Sequence, residues 1–196
     1  MKKRTDVLVV YGYHRDERFA FEIGKELEKL GRSDFIIKQY DKPVKLERDL
    51  ETGKFIDIEG KLRKKANYGI YLKDMGTFNR FVKNHASPKY VVDLHNSGPI
   101  SWEEYLKEHS NMRAHYPSVQ VFYESKLKIG ERLQDKIMNY CGSKDYIAIW
   151  SFIPNKYHQA KTSDRISLEY FPYIKKNEAL DFALGFIDLL YSQSTV

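Results

Sequence analysis

The chain has 196 residues, and its composition of 42% hydrophobic, 31% charged and 14% aromatic residues excludes a disordered or low-complexity protein. Its one cysteine excludes an internal disulfide and a metal site built from cysteines. The 33 Lys and Arg residues against 27 Asp and Glu residues give a net charge of +6, which favours anionic partners.

The N-terminal segment has a strand–helix–strand pattern. Residues 6–12 are a β-branched and apolar run closed by glycine, which predicts a buried parallel strand. Apolar residues recur at helical spacing over 17–30, and Gly31 marks the end of this predicted helix. Residues 34–40 predict a second strand, so we expect a right-handed parallel crossover between the two strands.

The middle of the chain contains shorter elements. Residues 44–50 and 54–58 flank Glu-Thr-Gly and predict a hairpin, and residues 68–72 predict another short strand. A helical turn is predicted over 78–84, ahead of a Ser-Pro pair. Residues 89–95 then predict a second buried strand that is sharply ended by Asn-Ser-Gly-Pro.

The C-terminal half alternates between strands and helices, which predicts an α/β protein with a mixed, mostly parallel central sheet flanked by helices. The predicted elements are a short helix at 102–109, a strand at 118–123, a helix at 127–140, strands at 146–153 and 165–171, and a helix at 177–193.

The first candidate site residues follow the first predicted strand. Ligands of open α/β sheets bind beyond the carboxyl ends of the strands. His14 and Glu17 form a His-x-x-Glu pair at that position, and together they could bind zinc at about 2.0–2.2 Å. Placement of Glu17 in the first turn of a helix, favoured by the helix dipole, would also explain the pair.

A second histidine ends another predicted strand. Neighbouring strands lie about 4.8 Å apart, so His95 could reach the point where His14 and Glu17 meet. Two histidines and one glutamate leave a zinc position open for water, as in hydrolytic rather than structural sites. Asp93 lies on the same face of the strand as His95, and it could either orient an imidazole or bond to the backbone.

Residues 77–81 provide a candidate anion site. Arg80 offers a planar fork that matches a carboxylate, and Asn79 adds a neutral donor. An ordinary surface arginine is the alternative interpretation.

Three ordered motifs resemble those of a known family. They are Gly12-Tyr13-His14-Arg15-Asp16-Glu17, Asn79-Arg80-Phe81 and Asp93-Leu94-His95-Asn96. This order resembles that of the succinylglutamate desuccinylase/aspartoacylase family of the zinc carboxypeptidase-like superfamily. The resemblance implies a zinc carboxypeptidase-like (phosphorylase/hydrolase-like) architecture and one catalytic domain over 1–196.

The resemblance also implies roles for individual residues. One Zn²⁺ per chain would be bound by His14, Glu17 and His95, and a substrate carboxylate by Asn79 and Arg80. The segment Ile-Ser-Leu-Glu-Tyr at 166–170 matches the place of the family's catalytic glutamate, which would make Glu169 the proton-transferring residue. No arginine stands at the spacing at which the family has its oxyanion-polarising arginine.

The predicted function is that of a zinc-dependent amidohydrolase that cleaves the amide bond of an N-acyl amino acid or a similar small carboxylate-bearing substrate. The alternatives are a small zinc carboxypeptidase acting on peptides and a catalytically lapsed basic binding protein on the same scaffold. We expect a cytoplasmic protein without membrane or nucleic-acid partners, because the sequence has neither a long apolar run, a signal peptide nor an RNA-binding consensus. A homo-oligomer is an open alternative.

Overall fold

A computed structural model describes residues 6–13, 17–42, 46–48, 55–57, 66–85, 88–96, 118–125, 130–144, 148–154, 163–171 and 174–193. Within these ranges no helix is long and apolar enough to cross a membrane. The elements in chain order are β1 (Val7–Tyr11), α1 (Arg18–Lys29), β2 (Ile36–Gln39), β3 (Leu46–Arg48), β4 (Phe55–Asp57), α2 (Ala66–His85), β5 (Tyr90–Asn96), β6 (Val119–Ser125), α3 (Glu131–Gly142), β7 (Ala148–Pro154), β8 (Asp164–Tyr170) and α4 (Lys176–Ser192).

Six of the strands form one sheet in the order β2-β1-β5-β8-β6-β7. The first four run parallel to one another, β6 runs antiparallel to β8, and β7 is parallel to β6. Strands β3 and β4 pair separately as an antiparallel hairpin. The structure therefore confirms the mixed, mostly parallel sheet flanked by helices, and it confirms the hairpin predicted from residues 44–58.

The two faces of the large sheet pack differently. One face joins α1, α3 and α4 in the larger hydrophobic cluster, to which alternate residues of β1, β5, β6 and β8 contribute. The opposite face packs against α2 through a smaller cluster that includes Leu8, Val10, Val91 and Phe78. Further along this second face, the same alternation brings polar residues inward: Asp93, His95, Arg165, Ser167 and Glu169.

One predicted element is wrong. Residues 68–72 are not a strand but the first part of α2, which begins at Ala66 and includes the helical turn predicted over 78–84. Within residues 68–72, two tyrosines and an isoleucine favour a strand. Gly69 and Gly76 lower the helix propensity of the longer segment. Tertiary contacts decide the outcome, because Phe78, Phe81 and Val82 are buried against the sheet at helical spacing. The helix predicted at 102–109 lies outside the described residues.

Gly24 lets α1 approach the sheet closely. A methyl group at this position would overlap the Cβ and ring atoms of Tyr11, which is fully buried. We therefore expect Gly24→Ala to lower the free energy of unfolding by about 1–3 kcal/mol, as overpacking of a core does. Urea denaturation measures this. Gly142→Ala is the matched control, because its added methyl meets no atom within 4 Å and should change stability by about 0.5 kcal/mol or less.

Candidate active site

The candidate site lies at the carboxyl edge of the sheet. From β1 the chain passes through α1 to β2 on one side, whereas β5 pairs with β1 on the other side. This reversal of direction creates the crevice in which ligands of open α/β sheets bind. The ends of β1, β5 and β8 are adjacent there, and the register pairs His95 directly with Glu169.

Glu17 enters this crevice from the start of α1. Gly12 follows β1 with a φ of 81°, a conformation that favours glycine, and so the chain can turn sharply as it leaves the strand. Glu17 is the N-cap residue of α1, but its side chain makes no capping hydrogen bond. Both carboxylate oxygens instead lie 3.1 Å from Nδ1 of His95. The carboxylate is therefore directed at the histidine and not at the first turn of its own helix.

Asn96 supplies the cap that Glu17 does not. Its Oδ1 atom accepts a 2.7 Å hydrogen bond from the backbone N–H of Ala20, the third residue of α1. Side-chain oxygens commonly satisfy this N–H from within the same helix, whereas here the oxygen comes from the end of β5. The bond ties the first turn of α1 to the strand that carries His95, which helps to hold Glu17 and His95 together.

His95 is bound on both ring nitrogens and is 6% exposed. Its Nε2 atom lies 2.8 Å from Oδ2 of Asp93, while Nδ1 faces Glu17. Burial alone would lower the pKa of His95, but the charges of Asp93 and Glu17 raise the pKa well above its usual value. The ring is therefore held in one orientation between two carboxylates.

Arg165 is a member of the site that sequence reasoning missed. Its Nη2 atom donates a 2.5 Å hydrogen bond to Oδ2 of Asp93. Asp93 is completely buried; burial would raise the pKa of its carboxyl group, but His95 and Arg165 lower it to about 2. The available signal was the alternation of Arg165, Ser167 and Glu169 with the apolar residues Ile166, Leu168 and Tyr170.

Glu169 lies opposite His95 on the neighbouring strand. Burial raises the pKa of Glu169 to about 7; His95 and Arg165 oppose this shift, while Glu17 adds to it. A carboxyl group with a pKa near neutrality can both accept and donate a proton at working pH, which is the property required of a general acid–base residue.

Asn79 and Arg80 are separated by the geometry of α2. Asn79 is buried at 8% exposure, and its Nδ2 atom has no hydrogen-bond partner among the described residues. Arg80 is exposed, and its Nη2 atom donates a 3.1 Å hydrogen bond to Oγ1 of Thr77. Successive helical residues point about 100° apart. The two side chains therefore have different surroundings, and the carboxylate-binding role stays a prediction for both.

The donor set near His95 fits a zinc ion. Two ligands on a tetrahedral zinc ion at about 2.0–2.2 Å are about 3.3–3.6 Å apart, which is close to the 3.1 Å between Nδ1 of His95 and the Glu17 oxygens. Asp93 on Nε2 leaves Nδ1 as the atom available for a metal. His14, the third predicted ligand, lies outside the described residues, within which no group of three metal-binding side chains occurs. The ligand roles therefore stay predictions.

Comparisons with known proteins relate this chain to others by its fold and not by its sequence. The sequence matches no protein-family model and no curated protein. The solved structures that resemble the chain include candidate metallopeptidases and amidases.

In particular, a candidate metallopeptidase from Shewanella denitrificans OS217 shares 9% identity over 98% of this chain and 75% of its own, with a TM-score of 0.51. A candidate metallopeptidase from Shewanella baltica OS155 shares 10% identity over 96% and 78% of the chains, with a TM-score of 0.48. The CwlD amidase of Clostridioides difficile, solved with the GerS lipoprotein, shares 11% identity over 96% and 99%, with a TM-score of 0.49. The first of these likenesses shows a shared α/β fold, in agreement with the mixed, mostly parallel sheet flanked by helices that the sequence predicts.

Proposed function

We propose that the protein is a zinc-dependent amidohydrolase that cleaves the amide bond of an N-acyl amino acid or a similar small carboxylate-bearing substrate. One observation carries the proposal: Nδ1 of His95 faces the Glu17 carboxylate while Nε2 is bound to Asp93. Histidines that bind metals typically donate the second ring N–H to a carboxylate in this manner.

The residues that would hold zinc are Glu17, His95 and His14, the last assigned from the sequence motif. When bound, zinc acts as a Lewis acid toward an amide carbonyl and makes water a stronger acid near neutral pH. Asp93 keeps the imidazole of His95 in one orientation, so that Nδ1 stays directed at the position that zinc would occupy.

Glu169 would move the protons of the reaction. Glu169 is the register partner of His95 in the sheet, and burial raises the pKa of its carboxyl group to about 7. As a carboxylate it accepts the proton of the attacking water, and as an acid it then delivers that proton to the leaving nitrogen. One residue thus serves both halves of amide hydrolysis.

Arg80 and Asn79 support a substrate with a free carboxylate. Arg80 is exposed to solvent. The buried Nδ2 atom of Asn79 is a hydrogen-bond donor that has no acceptor among the described residues. Their place in the Asn-Arg-Phe motif supports substrates of the kind handled by the succinylglutamate desuccinylase/aspartoacylase family. The net charge of +6 also favours small anions.

Paired substrates test the proposal. Zinc-loaded protein is incubated with N-acyl amino acids and with the same compounds carrying a carboxamide in place of the α-carboxylate. We expect hydrolysis of the free acids and a kcat/KM about 10- to 100-fold lower for the amides, because a charge-assisted hydrogen bond is lost. Arg80→Gln should remove this preference, whereas Lys83→Gln, an exposed change on the same helix, should keep it.

The remaining alternatives give different results in hydrolysis and binding measurements. Faster cleavage of short peptides than of N-acyl amino acids would favour the small zinc carboxypeptidase, in keeping with the metallopeptidase-type fold. Salt-sensitive binding of nucleic acid, without metal or hydrolysis, would favour the lapsed binding protein. Hydrolysis that survives a chelator would contradict the proposed zinc dependence.

A further inference from the structure

The polar cluster contains a buried cation that the proposed reaction does not use. Arg165 is 7% exposed, and its guanidinium faces Asp93 rather than solvent. In the sheet register it pairs with Val91, four residues before His95, so it lies deeper than the edge of the crevice. A side chain at this depth acts mainly on its buried neighbours.

We propose that Arg165 is a positioning residue of the metal centre, which holds Oδ2 of Asp93 at the point from which Asp93 orients His95. This inference rests on the proposed function, because it concerns the affinity of the site for zinc. Arg165 lies outside all three sequence motifs.

The two hydrogen bonds of Asp93 converge on one oxygen. Oδ2 lies 2.5 Å from Nη2 of Arg165 and 2.8 Å from Nε2 of His95. The other oxygen, Oδ1, has no hydrogen-bond partner among the described residues. Rotation of the carboxylate about the Cβ–Cγ bond is therefore opposed mainly by these two donors. Because His95 is the group to be oriented, Arg165 is the anchor that fixes the carboxylate independently of the metal.

Aromatic rings hold Arg165 itself in place. The guanidinium carbon lies 4.9 Å from the ring centre of Phe78 and 5.7 Å from that of Tyr13, distances at which a cation is attracted to an aromatic face. Tyr13 also contacts His95 edge to face, with ring centres 5.8 Å apart. Both rings are buried, so Arg165, Asp93 and His95 form one packed unit between α2 and the sheet.

A double-mutant cycle on zinc affinity tests this role. The full-length wild type, Arg165→Met, Asp93→Asn and the double variant are titrated with zinc in competition with a chromophoric chelator. We expect Asp93→Asn, which removes the direct partner of a ligand, to weaken zinc binding about 10- to 100-fold, and Arg165→Met, which acts one contact further out, to weaken it about 10-fold. In the Asp93→Asn background the same change should cost less than about 3-fold, because the carboxylate through which Arg165 acts is gone.

A second variant and a second signal separate positioning from general destabilisation. Arg165→Lys keeps the charge but loses the planar fork, and it replaces Arg165→Met in the cycle if the methionine variant does not fold. Cobalt(II) in place of zinc reports ligand geometry by its visible absorption, which should change in the Arg165 variants. Arg32→Met is the matched control, because Arg32 pairs with Asp34 and Asp188 just before β2 begins, at the edge of the sheet opposite to the site. The zinc affinity of this variant should equal that of the wild type.

Three results would overturn the inference. Unchanged zinc affinity in a folded Arg165 variant would leave Arg165 without a role at the metal centre. Equal losses in the wild-type background and in the Asp93→Asn background would show that Arg165 does not act through Asp93. Failure of the wild type to bind zinc would remove the proposed function as well, whereas the first two results leave that function standing.

Discussion

Replacement of His95 by alanine is expected to abolish stoichiometric zinc binding. His95 is the side chain on which Glu17 and Asp93 converge. Its loss removes one proposed zinc ligand and leaves Glu17, a second proposed ligand, without the side chain that it faces. Loss of an outer partner alone typically costs about 10- to 100-fold in metal affinity, and loss of a ligand should exceed about 100-fold. The zinc content after dialysis, measured by elemental analysis, gives the result directly.

His85→Ala is the matched control for this experiment. His85 lies exposed at the end of α2, where its Nδ1 atom is 2.8 Å from the backbone oxygen of Phe81. This variant should retain about one zinc per chain, like the wild type. Retention of stoichiometric zinc by a folded His95→Ala protein would contradict the account.

Replacement of Glu169 by glutamine is expected to spare zinc binding and to lower kcat steeply. The amide keeps the size of the side chain but cannot accept the proton of the attacking water. Removal of a general acid–base group typically costs about 10²- to 10⁴-fold in kcat. Because burial raises the pKa of Glu169 to about 7, the base form is lost as the pH falls through this region. In the wild type, kcat/KM should therefore decline as the pH falls below about 7. The residual activity of the variant should lack this decline.

Glu22→Gln provides the control for the loss of a carboxylate. Glu22 is exposed on α1, and its replacement should leave kcat, the pH profile and the zinc content unchanged. Full turnover by Glu169→Gln with zinc bound would assign proton transfer to another group. Loss of zinc from this variant would instead indicate that Glu169 is itself a ligand.

The approach of Glu17 to His95 could be predicted from the sequence. His95 ends an apolar run that is typical of a parallel strand, and Glu17 begins the helix that follows another such run, five residues after Gly12. The carboxyl ends of parallel strands share one edge of a sheet. Alternation along the strand likewise predicts that Asp93 lies on the same face as His95. The structure brings these three side chains into contact, while His14 lies outside the described residues.

Other features depend on which strands pair, and the sequence of a single segment does not predict them. Arg165 meets Asp93 only because β8 pairs with β5, although 72 residues separate the two side chains in the chain. The cap from Asn96 to Ala20 spans 76 residues in the same way. No local pattern specifies which strands become neighbours, so such long-range partners emerge only from the assembled sheet.

The differing surroundings of Asn79 and Arg80 show a related limit. Their adjacency in the sequence suggests joint action, and a loop could have placed both on one ligand. Extension of α2 through these residues places one side chain inside and the other at the surface. The prediction of a helical turn over 78–84 was correct, but its length, and therefore the division of the two faces, was set by packing against the sheet.

X-ray diffraction from crystals of the zinc-loaded protein, with data collected on both sides of the zinc absorption edge, locates the metal itself. We expect one anomalous difference peak per chain, within about 2.2 Å of both Nδ1 of His95 and a carboxylate oxygen of Glu17. The absence of a peak between these two side chains, with zinc bound elsewhere or not at all, would contradict the proposed zinc site.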